Sequence, residues 1–161
     1  MKEHIVHPIP PFYDKESMIL ILGSFPSVRS REQMFFYGHP QNRFWKVIAG
    51  VFDDDVPESI SDKKDFLTKH HIALWDVIGE CDIKGSSDAS IENVVANDLS
   101  MIMNTANIQG IFVNGKTAEK YYIKYTENAV GQKAVCLPST SPANAAWNLE
   151  RLISDWKRSM I

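Results

Sequence analysis

An aromatic ring, an imidazole, a carboxamide and a guanidinium fall within one short stretch, at Tyr37, His39, Asn42 and Arg43. A planar ring can lie against a base, an amide that donates and accepts can orient a water, and a guanidinium meets phosphate oxygens. Upstream, Leu22-Gly23-Ser24-Phe25-Pro26-Ser27 closes an apolar run in small and turn-forming residues. Backbone N–H groups of Gly23 and Ser24 can there approach a ligand edge that larger side chains would obstruct. Downstream, Pro138-Ser139-Thr140-Ser141-Pro142-Ala143-Asn144 sets three adjacent hydroxyls ahead of a helical pattern. Hydroxyls and the free N–H groups of a helix start suit a phosphate, although a Ser-rich turn before a helix also reads as a cap. Asn144 could reach a base or an opposite strand.

Groups so far apart in the chain must be gathered by the fold. Apolar runs at 18–22, 72–75, 108–113 and 134–137 are short and bounded by polar or turn residues, as buried strands are. Between them Phe44, Val47, Ile48 and Val51 recur at helical spacing, with Gln41 or Asn42 available as a cap. Ser30 and Gln33 form a capping-box pattern for a short preceding helix. Further helices are expected at 61–70, 91–104, 117–125 and 144–160, the last turning Trp147, Leu152 and Trp156 inward, and 53–59 reads as a surface loop. This alternation predicts a parallel α/β domain, whose ligands bind outside the carboxyl ends of the strands. Asp76, Asn114 and Lys116 should lie on that side. For Asp76 a helix cap or an ion-pair partner is the simpler role, and for Lys116 a solvated side chain.

With 161 residues and no repeat, low-complexity tract or linker, one domain over 1–161 is expected. No apolar stretch reaches the roughly 18 residues of a membrane span, and the first residues carry neither an apolar signal segment nor a lipidation pattern. A cytoplasmic monomer without membrane contact is the expectation. Cys81 and Cys136 lack metal-ligand spacing, so no disulfide framework, metal or cofactor is expected. A net charge of −3 argues against indiscriminate nucleic-acid binding. Arg29, Arg31, Arg43 and Lys46 nevertheless flank the candidate pocket while acid gathers at Asp53-Asp54-Asp55, so the surface potential should be uneven.

The two polar segments resemble the motifs of the uracil-DNA glycosylase superfamily. In its mismatch-specific branch a Gly-X-Asn-Pro-Gly turn precedes an aromatic residue and an Asn-Arg-Phe-Trp helix start, like Asn42-Arg43-Phe44-Trp45 here. The turn Gly23-Ser24-Phe25-Pro26-Ser27 and the segment Leu137 through Ala145 are more similar to the hypoxanthine-DNA glycosylase branch. The resemblance extends through Ile72-Ala73-Leu74-Trp75-Asp76-Val77 and Phe112-Val113-Asn114-Gly115-Lys116. It implies a three-layer α/β/α sandwich with a central four-stranded parallel sheet. It also implies hydrolysis of the N-glycosidic bond of a deaminated base, hypoxanthine first, flipped out of DNA. The branches with a four-Cys cluster are excluded by the cysteine count.

Under this resemblance Tyr37 matches the aromatic against which the base stacks, or else packs beneath its loop. The branch residue that positions water is replaced by Phe25, which has no hydrogen-bonding group, so its ring is expected to pack and only its backbone to meet the base. That leaves Asn42 as the water-positioning residue, or as a cap only. His39 is a secondary donor to base or phosphate; Gly23 and Ser24 line the base edge; Arg43, Ser139, Thr140, Ser141 and Asn144 are expected on the DNA. Neither motif contains a lysine, so no Schiff base is expected and the product is an abasic site. Two other readings stand beside this one: a mismatch-specific uracil glycosylase, and a binding module that has lost catalysis.

Overall fold

Ile19-Leu20-Ile21-Leu22 is apolar in every position, which a strand tolerates only when both faces are covered. The computed structural model, which describes all 161 residues, places this segment at the centre of a parallel sheet. In chain order the strands are β1 (Glu3–Val6), β2 (Ile19–Gly23), β3 (Ile72–Asp76), β4 (Ile78–Ile83), β5 (Glu92–Ala96), β6 (Gly110–Asn114) and β7 (Val135–Leu137). The helices are α1 (Val28–Gln33), α2 (Phe44–Val51), α3 (Ile60–Lys69), α4 (Ser100–Thr105), α5 (Lys116–Tyr125), α6 (Glu127–Val130) and α7 (Leu149–Met160). The parallel sheet has the order β3-β2-β6-β7, and with its helices it forms the expected three-layer α/β/α sandwich. One cluster of 37 buried apolar residues fills it.

From β2 the chain passes to β3 on one side and later to β6 on the other, so the strand order reverses at β2. A crevice opens at such a reversal, outside the carboxyl ends. The residues at those ends are Gly23, Asp76 and Asn114, with Ser139 just beyond β7. α2 packs along α7, with Phe44 edge-on to Trp156 at 5.9 Å, which fixes the start of α2 beside the crevice. Trp156 in turn donates to Pro138 O, holding the second motif against the same helix pair.

A second sheet departs from the sequence reading. β1, β4 and β5 form an antiparallel sheet of order β1-β4-β5 that grows from the end of β3. Val77 and Ile78 N–H groups bond Gly23 O and Ser24 O, so the two sheets join at the crevice. Residues 91–104 are therefore not one helix. Ile91, Val94, Leu99 and Ile102 mimic helical spacing, but Glu92, Val95 and Ala96 pair with β4, and only 100–105 is helical. β-branched residues and a distant partner strand outweigh the local period here.

Two helix starts also shift. The helix expected from 144 begins at Leu149, because residues 144–148 are turn and Asn148 Oδ1 caps Arg151 N–H. Trp147, before it, is half-buried with Arg151 over its ring. Ser27, not Ser30, caps α1.

Candidate active site

The crevice is a cavity of about 470 Å³ lined by residues of both motifs, by Asp76 and Asn114, and by Ser86, Ser87, Asp88 and Ala89. That volume lies within the usual range of small-ligand sites. Its floor is set by the pairing of Gly23 with Asp76 across β2 and β3. A Cβ at Gly23 would stand 2.4 Å from Asp76 Oδ1 and 3.1 Å from the Tyr37 hydroxyl, so glycine is required for these groups to meet.

Asp76 is almost wholly buried, and its Oδ2 accepts from His7 Nε2 at 2.7 Å. His7 Nδ1 accepts the Ile9 N–H at 3.2 Å, so the ring proton is on Nε2 and the imidazole is neutral. The chain delivers His7 by leaving β1, bonding Gly79 O through the His7 N–H, and pairing Phe12 with Leu74 along the outer edge of β3. Trp75 Nε1 donates to Ile9 O and fixes the crossing. Asp76 Oδ1 has no partner within the chain and faces the cavity. The simple role foreseen for Asp76, a cap or an ion-pair partner, therefore covers only one of its oxygens.

Tyr37, at a left-handed φ of 55°, stacks one ring face on Phe44 at 4.0 Å and lines the cavity. Its hydroxyl is buried without a hydrogen-bond partner. Burial, then the neighbouring Asp76, hold its proton affinity well above the ordinary phenol range, with Asn114 opposing. Tyr37 thus both packs beneath its loop and presents a ring to the cavity. Phe25 is buried, with its ring 5.6 Å from His7, edge to face, and lines the cavity.

The side wall is one hydrogen-bond network. Asn42 Oδ1 accepts from Phe44 N–H at 2.9 Å and from Thr140 Oγ1 at 2.9 Å, and Thr140 Oγ1 accepts from Asn114 Nδ2 at 3.0 Å. Asn114 Oδ1 accepts the Thr140 N–H. The start of α2, the end of β6 and the second motif are tied at one point. With both lone pairs of its oxygen engaged, Asn42 has only its Nδ2 hydrogens to offer the cavity. The N-cap position of α2 is Arg43 and not Asn42, which instead bonds the first N–H of the helix and lines the cavity, where it presents a donor and not an acceptor.

Three residues expected on DNA are tied into the fold instead. Thr140 is fully buried in the network above. Arg43 donates to Trp147 O, Ser141 O and Asn144 O, and its Nε is buried without a partner, so its guanidinium braces the turn after β7 and is not free for a phosphate. Asn144 Nδ2 donates to Ser139 O, another brace within the turn. Ser139 Oγ and Ser141 Oγ accept N–H groups of Ser141 and Ala143, which leaves each hydroxyl hydrogen available to donate. His39 lines the cavity with Nδ1 accepting the Gln41 N–H and Nε2 free.

Sequence reading missed His7, Asn97, whose Nδ2 bonds Asp76 O, and the wall at 86–89. His7 lies 69 positions from its partner, and no local pattern marks it. Ser86-Ser87-Asp88 could have been noticed as a polar turn.

Residues 10–160 match the family model of the uracil DNA glycosylase superfamily. Two proteins named hypoxanthine DNA glycosylase are similar throughout. One, from Methanosarcina barkeri, is 31% identical over 84% of this chain and 85% of its own length. The other, from Methanosarcina acetivorans, is 32% identical over 92% of this chain and 93% of its own. The solution NMR structure of a candidate uracil DNA glycosylase from Methanosarcina acetivorans superimposes with a TM-score of 0.80 at 29% identity, covering 96% of both chains.

Proposed function

Because the chain belongs to the uracil DNA glycosylase superfamily and is a DNA repair glycosylase, we propose that its substrate is hypoxanthine in DNA and that Asp76 reads it. The observation that carries this reading is Asp76 Oδ1, an acceptor at the cavity floor with no partner of its own. Deamination of adenine converts ring N1 from an acceptor into an N1–H donor and replaces the amino group by a carbonyl. An acceptor facing N1 bonds the deaminated base and repels the normal one. A site built around one hydrogen bond discriminates strongly, because the wrong partner leaves a polar group unpaired.

The base would enter extruded from the helix, one face toward Tyr37 and its edge toward Gly23 and Asp76. The N9–C1′ bond then breaks with its electron pair going to the base, the sugar acquires oxocarbenium character, and water adds at C1′. Asn42 Nδ2 is suited to holding that water by its oxygen, which leaves a lone pair for attack, while the fixed Oδ1 bonds keep the amide from turning. Ser139 and Ser141 hydroxyls, on the cavity rim, suit a flanking phosphate. The product is an abasic site.

Uracil remains the second reading, since its N3–H presents the same donor to Asp76 Oδ1. Duplexes bearing one hypoxanthine, xanthine, uracil or adenine at a fixed position, incubated with enzyme and cleaved with alkali, separate the cases. Cleavage at hypoxanthine and not at adenine supports the reading. Cleavage at uracil alone transfers the site to the second reading, and tight DNA binding without any cleavage makes it a binding module.

A further inference from the structure

The loop between β4 and β5 belongs to the antiparallel sheet, yet it forms one wall of the cavity through Ser86, Ser87, Asp88 and Ala89. It is fastened there. Val28 N–H donates to Ser86 Oγ at 3.0 Å, Arg31 reaches Gly85 O, and Ser90 Oγ bridges Lys84 N–H and Ser87 O. A short 3₁₀ turn, Asp88–Ser90, aims the Asp88 side chain back at the first motif, where its only side-chain partner is Ser24 Oγ at 3.1 and 3.2 Å from its two oxygens. Asp88 and Asp76 thus enter one cavity from different elements, Asp88 bonded to Ser24 and Asp76 paired with Gly23.

Resting on the reading of hypoxanthine as substrate, we propose that Asp88 is the general acid that protonates the departing purine at N7. A purine leaves poorly as an anion, and N7 is the ring acceptor whose protonation neutralises it. The Asp88 O–H bond breaks as N7–H forms, and the N9–C1′ electron pair passes into the ring. Neutral hypoxanthine departs, water adds at C1′ and gives its proton to solvent, and the Asp88 carboxylate is reprotonated from solvent. The surroundings favour a carboxyl that holds its proton. Asp88 is solvent-exposed as a residue, but desolvation of its carboxyl against the cavity wall raises its proton affinity first, the Ser24 hydrogen bond opposes this, and Asp76 from β3 raises it further. The other titratable groups around it are Arg31 of α1, which reaches Gly85 O, His39 in the same cavity, Cys81 of β4, and Tyr121 of α5, with Lys116, Glu119 and Lys120 of α5 along the adjoining groove.

The test is the single-turnover rate of wild type and Asp88→Asn between pH 5 and 9 on three duplexes, carrying hypoxanthine, its analogue with C–H in place of N7, or uracil. For wild type on hypoxanthine the rate should fall about tenfold per pH unit above the pKa of Asp88, because only the protonated acid works. Asp88→Asn should lose roughly 10²-fold or more on hypoxanthine and flatten that limb. On the analogue and on any uracil release, neither of which offers N7, the variant should match wild type. Equal slowing on all three duplexes, or an unchanged pH limb in the variant, overturns the proposal and makes Asp88 a wall residue. Thermal melting of both proteins guards against misfolding, and Asp88→Glu, which keeps the acid, should restore part of the rate on hypoxanthine alone. Wild type inert toward hypoxanthine but active on uracil would instead defeat the substrate reading, a result distinct from every outcome above.

Discussion

Replacing Asp76 by Asn changes almost no volume but inverts the polarity of the cavity floor, and the direction of that inversion follows from His7. His7 Nδ1 accepts the Ile9 N–H, so Nε2 carries the proton and must donate. In Asp76→Asn the carboxamide oxygen therefore turns toward His7 and its NH₂ faces the cavity, where wild type presents Oδ1. Hypoxanthine N1–H then meets a donor. The loss combines a hydrogen bond to a carboxylate, typically about 1.5 to 3 kcal/mol, with an unpaired donor in a confined site, typically about 1 to 3 kcal/mol. A total of about 2.5 to 6 kcal/mol corresponds to roughly 10²- to 10⁴-fold in single-turnover excision. Stability should change by less than about 1 kcal/mol, because the His7 bond survives. Rates on hypoxanthine and adenine duplexes, with urea unfolding of the same preparations, provide the measurement. The ratio of the two rates should narrow sharply. A variant that excises hypoxanthine at the wild-type rate would refute both the tautomer argument and the role of Asp76.

Asn42→Ala removes the acceptor of Phe44 N–H and of the buried Thr140 hydroxyl, so it should cost about 1 to 3 kcal/mol in urea unfolding and reduce base release far more than it reduces affinity for DNA. Activity surviving at the wild-type rate would exclude Asn42 from holding the water. Tyr37→Phe deletes a buried hydroxyl without a partner, so stability should hold or rise by up to about 1 kcal/mol with excision nearly unchanged; a large loss would give that hydroxyl a part in the reaction. Arg43→Ala breaks three bonds to backbone carbonyls and should destabilise by more than about 3 kcal/mol, while the salt dependence of DNA binding, measured below the unfolding range, keeps its slope; a shallower slope in a fully stable variant would return Arg43 to the phosphates. Asp54 bonds His70 and Lys69, which hold its carboxyl well below the usual carboxylate range. A folded-state pKa below the unfolded one stabilises above about pH 4 and ceases to do so as pH falls through the folded value. Wild type should therefore exceed Asp54→Asn in stability at pH 7, and the two should converge under acid; parallel curves would remove this pair from the acid limb.

The parallel sheet was legible in the sequence because strands buried on both faces must be continuously apolar, and β2 and β3 are. The cavity's position followed from the rule that ligands sit at carboxyl ends, which gathered Gly23, Asp76 and Asn114 correctly. The antiparallel sheet was not legible, because β5 takes its identity from pairing with β4 and its own spacing imitates a helix. The roles of polar side chains were harder still. Arg43, Thr140 and Asn144 have residue types suited to DNA, yet the turn after β7 leaves backbone carbonyls and N–H groups that must be satisfied internally, and these side chains satisfy them. His7 and Asp76 meet only through the crossing of the first segment over β3, a contact with no trace in local pattern.

The proposed reaction cuts the bond between sugar and deaminated base and leaves the DNA backbone whole. It is tested most directly by incubating a duplex containing one deoxyinosine with the protein and quantifying free base by chromatography and mass spectrometry, alongside the strand before and after alkali. Free hypoxanthine should appear mole for mole with alkali-labile sites, while the untreated strand stays intact. A strand broken before alkali, or inosine excised as a nucleoside or nucleotide with no free base, would contradict it.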